Sequence, residues 1–128
     1  MYCAMPNRLE ESDLWRQARA LVCAVYGVTG RGGFFRDVAL RDDVRREAVA
    51  FLSRIAESIE VSGAPAARSV EPISAAMVVR LRSYLVVAAD QGYLTEVELD
   101  GLAGQLAQIA RAAKRLADEG GEASVARA

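Results

Sequence analysis

Apolar residues recur at helical spacing in four segments of the chain, and glycine, proline or helix-capping residues separate these segments. The first segment covers about 12–29, with Ser12 as its predicted N-cap and a glycine-rich loop at 30–33 after it. Its predicted core stripe is Leu14, Trp15, Ala18, Leu21, Val22, Val25 and Tyr26. Arg16, Arg19 and Cys23 fall on the opposite side, so the segment predicts an amphipathic helix.

The second segment, about 38–61, begins after Asp37, a predicted N-cap, and ends at the breaker Ser62-Gly63-Ala64-Pro65. Its predicted core residues are Leu40, Val44, Ala48, Phe51, Ile55 and Ile59. The third segment covers about 70–91 and tolerates Pro72 in its first turn. Its predicted core residues are Ile73, Met77, Leu81, Tyr84, Leu85 and Ala88.

The fourth segment, about 96–119, has the clearest start in the chain. Thr95 and Glu98 form the pattern of a capping box, in which each side chain pairs with the backbone of the other. The predicted core residues are Leu99, Leu102, Leu106, Ile109, Ala113 and Leu116. Gly120-Gly121 ends the pattern, and we expect 120–128 to be a flexible tail. At the other end of the chain, we expect 1–11 to be an N-terminal extension.

Four amphipathic helices joined by short connections predict an all-α fold, a left-handed antiparallel bundle in which the helices run up-down-up-down. No segment has the alternation of a strand, and 24 alanines with 6% aromatic residues favour helix over strand. The chain has no long apolar run, so we expect no membrane span. Two cysteines and no recognisable signal segment favour a cytoplasmic location.

Two of the predicted helices carry apolar or small residues outside their core stripes. On the third helix, Val79 and Val86 lie far from the core, with Arg82 between them. A helix that is apolar on nearly every side is buried on more than one side, which predicts a subunit interface. On the fourth helix, Gly101 and Gly104 would let a second backbone approach. The alternatives are valines scattered on an ordinary surface and neutral drift at the glycines.

The residue inventory argues against an enzyme. The chain contains no histidine, which removes the commonest general base and the commonest metal ligand. A di-iron bundle, a Ser-His-Asp triad and a Cys-His pair are therefore excluded. The glycine-rich stretch at 30–33 follows a helix and lacks the Gly-Lys-Ser/Thr ending of a phosphate loop. We expect no catalytic, cofactor-binding or metal-binding residue.

Arginines on three helices, among them Arg80 and Arg82 on the third, suggest a second possibility, a nucleic-acid contact repeated around an oligomer. The candidates are Arg41, Arg45, Arg111, Lys114 and Arg115. Acidic residues are interleaved with them, and pairs such as Asp42–Arg46 have the spacing of ordinary ion pairs on a helix. The net charge of −1 also argues against a strongly basic nucleic-acid binder.

The order of several short motifs resembles a known family. These motifs are Asp13-Leu14-Trp15, Val25-Tyr26, Val44-Arg45-Arg46, Ile55-Ala56-Glu57 and Gly92-Tyr93-Leu94-Thr95. Together they resemble the four-helix bundle proteins encoded in 23S rRNA intervening sequences, a family that includes accessory proteins of diversity-generating retroelements. The resemblance spans about 13–118. The chain departs from the family pattern around its Ile-Ala-Glu triplet, at Leu52, Arg54 and Ser58.

The resemblance implies a bacterial, cytosolic, homopentameric bundle without catalytic activity. Combined with the residue inventory, it predicts a homo-oligomeric scaffold or adaptor. The alternative that it implies is an accessory protein that binds RNA or another nucleic acid.

Overall fold

The computed structural model describes residues 9–61 and 75–127 of the chain, and within these ranges it contains five helices and no strand. The helices are α1 (Asp13–Thr29), α2 (Gly32–Arg36), α3 (Val38–Val61), α4 (Ala75–Asp90) and α5 (Glu96–Arg127). The prediction of an all-helical fold is confirmed for this part of the chain.

Helix starts follow from short capping sequences. Ser12 accepts a hydrogen bond from the backbone N–H three residues further on, at 3.2 Å, and Asp37 does the same at the start of α3, also at 3.2 Å. The Thr95 N–H donates to Glu98 at 3.0 Å, while the Glu98 N–H donates to Thr95 at 3.1 Å. All three predicted N-terminal caps are therefore confirmed.

The four long helices pack around one core. Helix α1 packs against α3 and α5, and α4 packs against the same two helices from its own side. The short helix α2 packs on α1 and α3. The core side chains of the described residues are Leu14, Ala18, Leu21, Val25, Phe34, Val44, Ala48, Phe51, Ile55, Ile59, Met77, Leu81, Leu85, Ala88, Leu94, Leu102, Leu106 and Ile109.

Two residues of the predicted stripes are not in the core. The side chain of Tyr26 is half-exposed, because its ring covers the guanidinium of Arg45, at 4.5 Å, instead of pointing inward. Leu116 is equally exposed, since it lies beyond Ala113, the last residue of α5 that packs against the core of the described chain. Their assignment to the core was wrong. Ile73 lies outside the described residues.

The stretch at 30–33 was predicted to be a loop, and this is wrong for its second half. Gly32 and Gly33 form the first turn of α2. The reason is the next residue, Phe34, whose fully buried ring anchors the segment to the core. Gly33 is needed for this packing, because a Cβ built on it would lie 2.9 Å from Cε1 of Tyr93. An apolar anchor therefore overrides the loop preference of the glycines.

The outer limits of two predicted helices differ from the structure or lie beyond it. The segment 62–74, with the predicted stop at Ser62-Gly63-Ala64-Pro65 and the predicted start of the third helix, lies outside the described residues, as does 1–8 of the N-terminal extension. Helix α5 continues through Gly120 and Gly121 to Arg127 instead of ending near 119. A glycine inside a helix costs about 1 kcal/mol relative to alanine, a penalty that does not by itself end a helix.

Candidate functional site

One end of the molecule carries a polar cluster that joins distant parts of the chain. Arg31, just before α2, donates to both carboxylate oxygens of Glu98 in the first turn of α5, at 2.7 and 3.0 Å. The hydrogen bond from Arg31, supported by the backbone N–H of Thr95, lowers the pKa of Glu98 to about 2. The same bond raises the pKa of Arg31. Glu98 thus caps its own helix and ties it to the end of α1.

Tyr93 occupies the centre of this end of the molecule. Its ring stacks on Phe34 with centroids 5.3 Å apart, and its hydroxyl donates to Asp37 at 3.0 Å. That hydrogen bond is the main reason why the pKa of Tyr93 is raised. The preceding residue, Gly92, has φ +79°, a left-handed conformation that favours glycine and lets the chain reverse between α4 and α5.

An open cleft of about 510 Å³ lies beside this cluster, lined by the α1–α2 junction and the α4–α5 turn. Its charged groups, Arg31 and Glu98, are already paired with each other. A paired and solvent-accessible arginine–carboxylate link holds helices together and has no free acid or base to offer a substrate. Among the described residues no group of histidine, cysteine, aspartate or glutamate side chains is placed to hold a metal ion. The charged groups of the cleft therefore link the first turn of α5 to the segment that follows α1.

The outward face of α4 carries several exposed apolar side chains. Val79 is 61% exposed and Val86 is 39% exposed, and Arg82 lies between them, also exposed. Arg82 forms no ion pair or hydrogen bond with any described residue. Ala75 and Ala76 extend the same face, and neither is buried. The sequence placed these valines away from the core, and the structure places them in solvent.

The first half of the outward face of α5 carries small residues and one highly exposed valine. Val97 is 81% exposed, and a Cβ added to Gly101 or to Gly104 would meet no atom within 4 Å. Asp100 lies on the same face, exposed and without a partner among the described residues. Gly101 and Gly104 thus lie where the sequence placed them, in open space.

The predicted nucleic-acid residues Arg41 and Arg45 are committed to contacts inside the chain. Arg45 donates through Nε to the buried hydroxyl of Thr29 at 2.8 Å. Arg41 lies over the ring of Phe35 at 4.7 Å, donates to its carbonyl oxygen at 3.0 Å and pairs with Asp42 at the same distance. These two guanidinium groups hold α3 against α1 and α2.

The expected ion pair Asp42–Arg46 is wrong in its partners, because Arg46 pairs with Asp43 at 2.9 Å and Asp42 pairs with Arg41. The interpretation of these charges as helix-surface pairs still holds for this stretch of α3. Arg80 is also paired, with Glu47 of α3 at 2.9 Å, a contact that raises the pKa of Arg80.

The remaining three candidate cations differ from these. Arg111, Lys114 and Arg115 on α5 are exposed and form no ion pair with another described residue. Asp118 is near them in sequence and is also exposed. The structure therefore separates the five predicted cations into two groups: a structural pair on α3 and a free cluster on α5.

Sequence reasoning missed the Arg31–Glu98 link and the exposed aromatic Phe35. A link between residues 67 positions apart has no local pattern. The adjacent pair Phe34-Phe35 was an available signal, because two large apolar residues directly after a glycine-rich stretch are unusual in a solvated loop.

Comparisons of the chain with protein-family models, with curated proteins and with solved structures gave no match. The resemblance to the four-helix bundle family therefore stays a prediction. Over the described residues, no helix is both long enough and apolar enough to span a membrane.

Proposed function

We propose that the chain is a non-catalytic helical scaffold that assembles with copies of itself. The observation that carries this proposal is the outward face of α4, where Val79, Val86 and Val87 are all at least 39% exposed. Fully burying an exposed valine contributes about 1.5–3 kcal/mol, so completing the burial of each of these partly exposed valines contributes roughly half of that, and together they favour a partner. Scattered single valines would need no such explanation, but these three share one helix of 16 residues.

The proposed architecture is the left-handed, up-down-up-down bundle of α1, α3, α4 and α5. Its support is the set of helix pairs, since each long helix packs on two others in the described part of the chain and short connections join α1 to α3 and α4 to α5. We place this scaffold in the bacterial cytoplasm. The proposed number of copies is five, which comes from the family resemblance alone.

Light scattering after gel filtration, at micromolar concentration, tests this assembly. Five copies of the 13.8-kDa chain give about 69 kDa, and any stable multiple supports self-association. Val79→Asp and Val86→Asp are expected to reduce the mass to that of one chain. Val49→Asp is the matched control, because Val49 is a valine of similar exposure, 40%, on α3. A wild-type mass of 13.8 kDa would overturn the proposal.

A second candidate function is nucleic-acid binding through the free cluster on α5. The observation that favours it is that Arg111, Lys114 and Arg115 have no ion pair with any other described residue. Assembly would repeat the cluster once per copy, and phosphate contacts give an affinity that falls steeply with salt. This candidate ranks second because the chain's net charge is −1.

Titration of a labelled structured RNA at 50 and 200 mM salt separates the two functions. Three phosphate contacts at the slope of a duplex predict a roughly 40-fold loss of affinity over this range. Changing Arg111, Lys114 and Arg115 together to glutamine should abolish that binding. Arg46→Gln is the control, because Arg46 is an equally exposed cation that already has a carboxylate partner. If no binding occurs at either salt concentration, the scaffold remains as the proposed function.

A further inference from the structure

The exposed faces of α4 and α5 carry opposite unpaired charges. On α4 the cation of Arg82 lies between Val79 and Val86, and on α5 the carboxylate of Asp100 lies between Val97 and Gly104. Arg82 and Asp100 are both exposed, and neither has an ion-pair partner among the described residues. Each face therefore has the charge that the other lacks.

The two faces also agree in spacing. When Arg82 of one copy lies opposite Asp100 of the next copy, Val86 lies opposite Val97. Val86 is four residues after Arg82, and Val97 is three residues before Asp100. At 1.5 Å per residue the two intervals differ by about 1.5 Å when the helices run antiparallel. In the other direction along the helices, Val79 lies three residues before Arg82 and Gly104 lies four residues after Asp100, so Val79 lies opposite Gly104. The open space around Gly104 lets a valine from a second helix approach its backbone.

The direction of the two helices follows from the side on which each charge lies. At about 100° per residue, Arg82 lies roughly 40° from Val86 and Asp100 roughly 60° from Val97, both in the same rotational sense. Two faces that meet with antiparallel axes bring such charges to the same edge of the contact, whereas parallel axes put them on opposite edges. An antiparallel contact is thus the one in which the charges meet.

We propose that the exposed face of α4 in one copy packs antiparallel on the exposed face of α5 in the next copy, with Arg82 paired to Asp100. This inference rests on the proposed self-association and specifies its interface. The contact is head-to-tail, because it uses two different surfaces of each copy, and head-to-tail contacts form a ring when the rotation from copy to copy closes. In a ring whose axis follows the bundle, all copies keep one direction. The contact then requires α4 and α5 of one chain to be antiparallel, as proposed above.

A symmetric contact between two α4 helices is the competing arrangement. It would place Val86 against Val86 and Arg82 near Asp90 of the second copy, since Asp90 is also exposed and unpaired among the described residues. Arg82 and Asp90 lie on opposite sides of Val86, each about 40° away, so an antiparallel pair of α4 helices keeps them at opposite edges. The geometry therefore favours α5 as the surface that receives α4.

Disulfide trapping between two differently marked chains tests the interface. In a background with Cys3 and Cys23 changed to serine, one chain carries Val86→Cys and the other Val97→Cys. The chains are refolded together from denaturant and oxidised. A covalent dimer that forms in the mixture and in neither chain alone is the expected result. A dimer of the Val86→Cys chain alone would establish the α4–α4 contact and overturn the proposal.

The mass of the same unoxidised samples distinguishes a failure of self-association from a failure of this particular interface. If the samples are monomeric, the proposed self-association fails. If they are oligomeric and no covalent dimer forms in the mixture, self-association stands and this interface is wrong.

Charge reversal provides a second readout that needs no cysteine. Arg82→Glu places two carboxylates at each contact and should weaken association by about threefold or more, whereas Arg82→Glu with Asp100→Arg should restore it. Lys114→Glu is the control, because it reverses an exposed, unpaired cation outside the contact. Equal weakening by the control, or no restoration in the double variant, would overturn the pairing.

Discussion

The two adjacent phenylalanines of the short helix α2 should contribute very different amounts to stability, because they differ in burial. Phe34 is fully buried and stacks on Tyr93, whereas Phe35 is 49% exposed and lies beneath the guanidinium of Arg41. Removing a buried phenylalanine ring costs about 3–5 kcal/mol. For Phe35→Ala we expect about 1 kcal/mol, from a solvent-exposed cation–π contact and a partly covered ring.

Urea unfolding followed by circular dichroism measures this difference. With a slope of about 1.5 kcal/mol per molar, Phe34→Ala should lower the midpoint by about 2–3 M and Phe35→Ala by less than about 1 M. All chains are compared at one concentration, because the proposed self-association would also contribute to stability. Phe34→Leu keeps most of the apolar volume and serves if the alanine variant does not fold. Midpoints that agree for Phe34→Ala and Phe35→Ala would refute the anchoring of α2 by Phe34.

Two further predictions concern the same end of the molecule. Gly33→Ala should destabilise the fold, because its Cβ would lie 2.9 Å from the Tyr93 ring. Gly27→Ala has open space around the added Cβ and should stabilise α1 by about 1 kcal/mol. Thermal unfolding that ranks the two variants in the opposite order would contradict this packing. Because the pKa of Glu98 is lowered to about 2, its contribution to stability is present above about pH 4.5 and is lost as the pH falls toward 2. The stability difference between wild type and Glu98→Gln should therefore shrink over that range, while Glu96→Gln, which removes an exposed carboxylate of the same turn, should show no such trend.

The sequence was a good guide wherever structure depends on local spacing. The caps at Ser12, Asp37 and Thr95 follow from side chains that reach a backbone N–H a few residues away, and such contacts have a fixed pattern. The core stripes follow from the helical period, and they fail at Tyr26 and Leu116. The ring of Tyr26 packs on the guanidinium of Arg45 instead of the core, and Leu116 lies beyond the packed length of its helix.

Contacts between distant segments could not be predicted in this way. The glycines of 30–33 have local preferences for a loop, and only the burial of Phe34 on the core turns their second half into a helix. The charges of Arg41 and Arg45 were visible in the sequence, but their use inside the chain depends on where α1 and α2 end. For the candidate surfaces, the sequence placed the exposed residues of α4 and α5 correctly, while the partner of these faces stays a proposal.

The packing of α1 on α5 has a consequence for how quickly the chain folds. Next to this contact lies the Arg31–Glu98 pair, whose members are 67 positions apart, whereas the turn around Tyr93 separates α4 from α5 by only five residues. Closing the longer loop costs more chain entropy, so we expect the α4–α5 pair to form before α1 and α5 meet. Substitutions at Arg31 should then accelerate unfolding and leave the folding rate nearly unchanged, whereas Gly92→Ala, which strains the turn between α4 and α5 itself, should slow folding.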